Sequence, residues 1–158
     1  MNEKLLKLEK KTFLCYLGAP GSGKSTQALK LKEFYNDDCV IVNRDRIRER
    51  LGCWGASNWS PDAEKTVVQE RNFLLRESMK DGVLLVISDD TNYAQKNQNF
   101  FQNLAKEFGY DFVIEDLSDV PLDVCIERDS KREGNHKVGE AVIRNIAKNS
   151  GRYSSDFS

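Results

Sequence analysis

Residues 18–25 read Gly-Ala-Pro-Gly-Ser-Gly-Lys-Ser, a run that fits G-x-x-x-x-G-K-[ST]. Its glycines let the backbone wrap around an anion, so that the N–H groups and the N-terminus of a following helix face the charge. That geometry needs a strand entering the loop and a helix leaving it. Both are predicted. Thr12-Phe-Leu-Cys-Tyr-Leu17 is a short apolar and aromatic run ending at Gly18, and Lys24 to Tyr35 reads as a helix with Ala28, Leu29 and Leu31 as core contacts. The loop residues Gly21, Ser22, Gly23, Lys24, Ser25 and Thr26 are therefore expected to hold the phosphates of a nucleoside triphosphate. Lys24 would reach the β- and γ-phosphates, and the Ser25 hydroxyl would ligate magnesium. The alternative, a degenerate loop that binds nothing, is opposed by the intact Lys24-Ser25 pair.

The rest of the chain repeats the strand–helix alternation. Cys39–Val42 reads as a second buried strand, Val83–Ile87 and Asp111–Glu115 as a third and a fourth strand, and Arg44–Leu51 as a short charged helix. Ser60 and Pro61 make an N-cap and first-turn pair for a helix to about Lys80, with Val68, Leu75 and Met79 as its buried stripe. Further helices are predicted at Gln95–Phe108, from Pro121 to about Arg132, and at Glu140–Asn149. Such alternation indicates an α/β domain with a mostly parallel sheet covered on both faces. The division expected is a lead-in at residues 1–10, a P-loop domain at 11–150 and a flexible tail at 151–158.

Composition narrows the chemistry. Net charge is −1, whereas a protein that coats nucleic acid without specificity is usually basic. Local clusters can still bind a short end. The four cysteines, Cys15, Cys39, Cys53 and Cys125, have no CxxC spacing and read as buried free thiols. With His136 the single histidine, a multi-histidine metal site is excluded, and metal chemistry must use carboxylates, hydroxyls and phosphates. No apolar run approaches the roughly 18–20 residues that span a bilayer. No membrane partner is expected, and the cytoplasm is the expected compartment.

Ligands in α/β folds sit at the carboxyl ends of the strands. Asp45 follows one predicted strand, and Asp89 and Asp90 follow another. An acid there can orient magnesium or accept the acceptor's proton; a solvated strand end is the alternative. In a helix, Asp45 and Arg48 stand three apart and share a face, placing a proton acceptor beside an anion ligand. Arg128, Lys131 and Arg132 form a basic face on a later helix. They either complement its dipole or belong to a mobile lid that brings Arg128 and Arg132 onto the triphosphate. Trp54 and Trp59 read as packing their loop onto the core, with a stacking platform for a base as the alternative.

Four segments, Gly18–Thr26, Asn43-Arg-Asp-Arg-Ile-Arg48, Ser88-Asp-Asp-Thr-Asn92 and Asp119-Val-Pro121 through Arg132, together resemble the 5′-kinase module of the phage polynucleotide kinase family. The resemblance implies a P-loop NTPase fold of adenylate-kinase-like type, with sheet order 2-3-1-4 and a small lid. It implies ATP as donor and the 5′-OH end of DNA or RNA as acceptor. Asp45 would be the general base, and Arg48 would hold the phosphate 3′ of the end nucleotide. Asp90, with Thr91 and Asn92, would shape the acceptor pocket, and Arg132 would be the lid arginine. The phage pattern has Ser-Asp where this chain has Asp89-Asp90, so which aspartate faces the site is left open. The D-x-D-G-T motif of the phage phosphatase domain is absent. A small-metabolite or toxin-type kinase and a nucleotide-dependent binding module are the competing expectations, and a homo-oligomer is left open.

One outcome follows from the loop alone. Lys24→Ala is expected to abolish phosphoryl transfer with the fold intact, since one preorganised charge contact is worth about 3–4 kcal/mol, a hundredfold or more in rate. Steady-state turnover beside a thermal melt checks it; near-normal turnover would remove the loop from the chemistry.

Overall fold

The first strand, β1 (Thr12–Leu17), is buried at all six positions, so it must lie inside a sheet covered on both faces. The computed structural model, which describes residues 1–55 and 57–153, places it there. β2 (Cys39–Val42), β3 (Leu85–Ser88) and β4 (Asp111–Asp116) complete a four-stranded sheet of order β2-β3-β1-β4, with every pairing parallel. This is the implied 2-3-1-4 order, and the fold is the expected P-loop kinase fold.

Alternate side chains of β1 feed two cores. Phe13, Cys15 and Leu17 pack with Val67, Leu75 and Met79 of α3 (Pro61–Lys80) and with Phe101 and Leu104 of α4 (Gln95–Phe108). Leu14 and Tyr16 pack on the other face with Ala28 and Leu31 of α1 (Lys24–Tyr35), and Leu5 joins them from a 3₁₀ turn at Glu3–Leu6. The lead-in is thus docked: the Tyr35 hydroxyl donates to Leu5 O and accepts from Leu8 N. A third cluster joins Leu122 and Cys125 of α5 (Leu122–Ser130) to Ile143 and Ala147 of α6 (Glu140–Ser150), beneath Ala19 of the phosphate loop.

Several boundaries and faces differ from expectation. Leu29 is 50% exposed, so Leu31 and Ala28 carry the α1 core face without it. Val67, not Val68, leads the α3 stripe, since Val67, Arg71, Leu75 and Met79 recur every four residues. β3 begins at Leu85 because Asp81, Gly82 and Val83 first bond back to Glu77, Met79 and Ser78 and close α3. α5 stops at Ser130, with Lys131 and Arg132 continuing as a turn onto Arg128 O and Asp129 O. Of the expected flexible tail, Tyr153 is buried, its hydroxyl accepting from Ala19 N and from the Tyr93 hydroxyl; residues 154–158 lie outside the described residues.

The corrected α1 face gives a direct contrast. Leu31→Ala should cost about 2–5 kcal/mol, as for other large buried side chains, and Leu29→Ala no more than about 0.5. Urea unfolding of the two variants measures both; similar losses would contradict the packing described.

Candidate active site

All four strands are parallel, and the segments leaving β1, β2 and β3, with Trp54 and residues 132–138, enclose a cleft of about 640 Å³. The phosphate loop forms its floor. Gly21 has φ +87°, and a Cβ there would meet Cys125 O at 2.3 Å, so α5 packs too closely for any side chain. Gly23, at φ +104°, turns the chain into α1, whose first residues, Lys24, Ser25 and Thr26, line the cleft. Lys24 is 8% exposed, and its ammonium donates to Gly18 O at 2.8 Å and Ala19 O at 3.1 Å. Burial pulls its pKa down to about 8, against the opposing pull of Asp89 and Asp90.

The two adjacent aspartates have different partners. Asp89, 3% exposed, accepts from Asn43 Nδ2 at 2.6 Å and lies beside Ser25. Burial raises its pKa, with Asp90 adding to the rise and Asn43 and Ser25 opposing it. Asp90 accepts from Arg44 N at 2.9 Å and pairs with Arg44 Nε at 3.2 Å, which anchors the N-terminus of α2 (Arg44–Leu51). Both aspartates line the cleft. Asp89 adjoins the phosphate loop, and Asp90 holds the start of α2.

On α2, Asp45 is half-exposed and accepts from Arg48 Nη1 at 2.6 Å, the expected pairing across one turn. Arg48 is held further by Glu64 of α3, through Nε at 3.0 Å and Nη2 at 2.6 Å, while Trp59 Nε1 donates to the same carboxylate at 3.1 Å. A guanidinium has five N–H donors, and three are engaged here. Trp59 therefore supports this clamp instead of packing on the core, and its ring is 49% exposed.

Other expected site residues lie elsewhere. Asn92 is 2% exposed and does not line the cleft; its amide donates to Tyr16 O, Asp90 O and the Ser88 hydroxyl, tying β1 to the end of β3. Ser22 is buried, and its N–H is spent on Ala19 O. Arg128 stands outside the cleft and braces the loop by donating to Gly21 O at 3.2 Å. Arg132 and Thr91 do line the cleft. Arg132 lies 3.7 Å from Asp129, whose buried carboxylate accepts from Val138 N and Gly139 N and fixes the return of the lid at residues 133–139.

Sequence reasoning missed Asn43, Arg44, Glu64, Arg71 and Asp129. Asn43 and Arg44 stand inside a quoted motif, directly before Asp45, whereas Glu64 looks like any charge in a helix's first turn. Arg71 is 2% exposed on the α3 core stripe, stacked 5.0 Å over Phe101. Burial depresses its pKa, and Asp90 and Glu64 counter this.

The lining carries five basic and five acidic side chains, so a triphosphate adds charge that a cation would have to offset. The Ser25 hydroxyl and Asp89 fit magnesium. They are hard oxygen donors at the foot of the loop, with water and phosphate oxygens to complete the shell. When bound, magnesium would neutralise phosphate charge there.

Fold and cleft together define a P-loop kinase domain. The chain belongs to the AAA domain family, whose profile it matches over residues 14–152. It is 29% identical over 132 residues to an L-seryl-tRNA(Sec) kinase of Methanococcus maripaludis, a match covering 82% of this chain and 48% of that protein. Among solved structures, a chain of the Pnkp1/Rnl/Hen1 RNA repair complex superposes with TM-score 0.73 at 24% identity, over 94% of this chain and 47% of that one. A second Pnkp1/Rnl/Hen1 structure gives 0.64 at 28%, over 75% and 39%. The chain thus spans about half the length of these relatives. The likeness to the polynucleotide kinase family drawn from four motifs stands. No helix among the described residues is long and apolar enough to cross a membrane.

The depressed Lys24 pKa has a measurable consequence. With no phosphate near it, the ammonium loses its proton as pH rises through about 8. A bound triphosphate restores it, so ATP binding at about pH 8.5 should take up most of one proton and weaken as pH rises further. Calorimetry in buffers of different ionisation enthalpy reads this uptake, and Lys24→Met should remove it. Binding without uptake in the wild type would contradict the buried ammonium.

Proposed function

We propose that the chain is an ATP-dependent polynucleotide 5′-hydroxyl kinase. The acceptor's 5′-oxygen attacks the γ-phosphorus, the bond to the β–γ bridging oxygen breaks, ADP leaves, and the hydroxyl proton passes to Asp45. Lys24 and Arg132 neutralise charge on the transferring group, which is the chief task of a protein in phosphoryl transfer. The observation that carries this reading is the Asp45–Arg48 pair, held in one cleft with Lys24 and Ser25. It puts a half-exposed carboxylate and a guanidinium opposite the phosphate loop, where an acceptor hydroxyl and its neighbouring phosphate would lie. The two Pnkp1/Rnl/Hen1 structures and the four-segment resemblance support the same acceptor.

A second reading is favoured by the Glu64 clamp. With Glu64 and Asp45 both on Arg48, an acceptor phosphate finds only the two remaining N–H donors and a largely compensated charge. A hydroxyl acceptor without such a phosphate would fit, and the relative named L-seryl-tRNA(Sec) kinase shares 29% identity. A small-metabolite kinase falls under the same reading. A nucleotide-dependent binding module has less support, because base and lid candidates share one cleft.

Labelled ATP, magnesium and a 5′-OH oligonucleotide separate these readings. Label is expected at the 5′ end, and Asp45→Asn should lower the rate by about 10²–10⁴-fold while ATP still binds. A nucleoside 3′-monophosphate should be used better than the bare nucleoside, with Arg48→Ala narrowing the gap. Equal use of both, or label only on small hydroxyl compounds, would favour the second reading.

A further inference from the structure

A second recess, of about 490 Å³, adjoins the phosphate cleft and shares Glu49, Trp54, Glu133 and His136 with it. Its charge is unlike the cleft's. The cleft sets five basic side chains against five acidic ones, whereas the recess has Glu49 and Glu133 and neither lysine nor arginine. A phosphate entering it would meet two carboxylates with no fixed cation, an arrangement that disfavours an anionic ligand. An uncharged group carrying hydrogen-bond donors meets acceptors instead.

The recess is also built around a ring. Trp54, half-buried, meets His136 of the lid edge to face, with centroids 4.8 Å apart and planes at 83°. Its carbonyl accepts from Asn58 Nδ2 and from Asn135 Nδ2, each at 3.4 Å, so the residue is held from its own loop and from the lid. The Trp54 backbone is thereby held in place, and its indole ring rests against His136 of the lid. On α2, Glu49 follows Asp45 by one turn, about 5–6 Å between Cβ atoms. That separation resembles the one between the 5′-oxygen and the base of a nucleoside.

Resting on the reading of the chain as a 5′-hydroxyl kinase, we propose that this recess binds the heterocyclic base of the acceptor's terminal nucleotide, stacked on Trp54 beside His136 of the lid. The base's amino and ring N–H groups face Glu49 and Glu133. The acceptor's phosphates stay on the arginine side, and the strand beyond the first nucleotide leaves the site without crossing the recess. Trp54 then sets the demand for a base at the end of the strand, whatever its sequence, because every base has a face to stack.

The test uses two 5′-OH oligonucleotides that differ only at the terminal residue, which is a normal nucleotide in one and an abasic tetrahydrofuran in the other. The wild-type protein should use the abasic end about 5- to 100-fold less well in kcat/KM, mainly through the acceptor KM, as loss of one stacked base predicts. Trp54→Ala should close that gap, and Trp54→Phe should keep most of it. Equal use of the two ends by the wild type, a comparison that needs no variant to fold, overturns the base site and leaves the kinase reading standing. A gap that persists in Trp54→Ala also overturns it. No label on either oligonucleotide, with ATP still bound, overturns the kinase reading and the base site together.

Discussion

Asp89 is almost wholly buried at the end of β3, where its carboxylate accepts from the Asn43 amide that follows β2 and lies beside Ser25 at the head of α1. Parallel register makes this meeting unavoidable. Cys15 of β1 pairs with Ser88 of β3, so the phosphate loop and Asp89 must emerge side by side, and Val42 pairs with Ser88 from the other flank. A carboxylate so enclosed is costly unless its oxygens find donors. The Asn43 amide supplies one, and this bond ties the start of α2 to the end of β3, next to the first turn of α1.

From that anchor, charge compensation runs outward along α2 and α3. Arg44 is locked to Asp90 and Arg48 to Glu64, so of the acidic groups on α2 facing the cleft, Asp45 keeps a half-exposed oxygen pair beside a single guanidinium contact. A carboxylate free enough to take a proton, and aimed by a neighbour that is itself immobilised, is what a general base requires. The same clamp limits what Arg48 can offer an acceptor phosphate.

Much of the fold could be read from the chain because most of its strands are short apolar runs, α2 and α3 start at the capping side chains Asn43 and Ser60, and α2 and α4 stop at Gly52 and Gly109. The errors were rotational. Val67 and Val68 are adjacent valines, and only the packing of α3 against β1 decides which turns inward; Leu29 was counted as core because it is apolar, although α1 turns it to solvent. Of the site, the loop, Asp45, Arg48 and Arg132 were visible as motif positions. Glu64, Arg71 and Asp129 were not, because their partners lie far off in sequence or in the backbone of the lid. Asn92 misled for the opposite reason: it stands within a motif whose aspartates face the cleft, but its own left-handed turn points its amide into the strand ends.

The central claim is that one cleft delivers the terminal phosphate of a nucleotide to a hydroxyl activated by Asp45. Its most direct test is a structure of the protein with ADP, aluminium fluoride and a 5′-OH oligonucleotide as a mimic of the transferring state. The account predicts the fluoride group between the Lys24 ammonium and the 5′-oxygen, with an Asp45 carboxylate oxygen within hydrogen-bonding distance of that hydroxyl. A 5′-oxygen resting instead against Asp90, with Asp45 still bound only to Arg48, would contradict it.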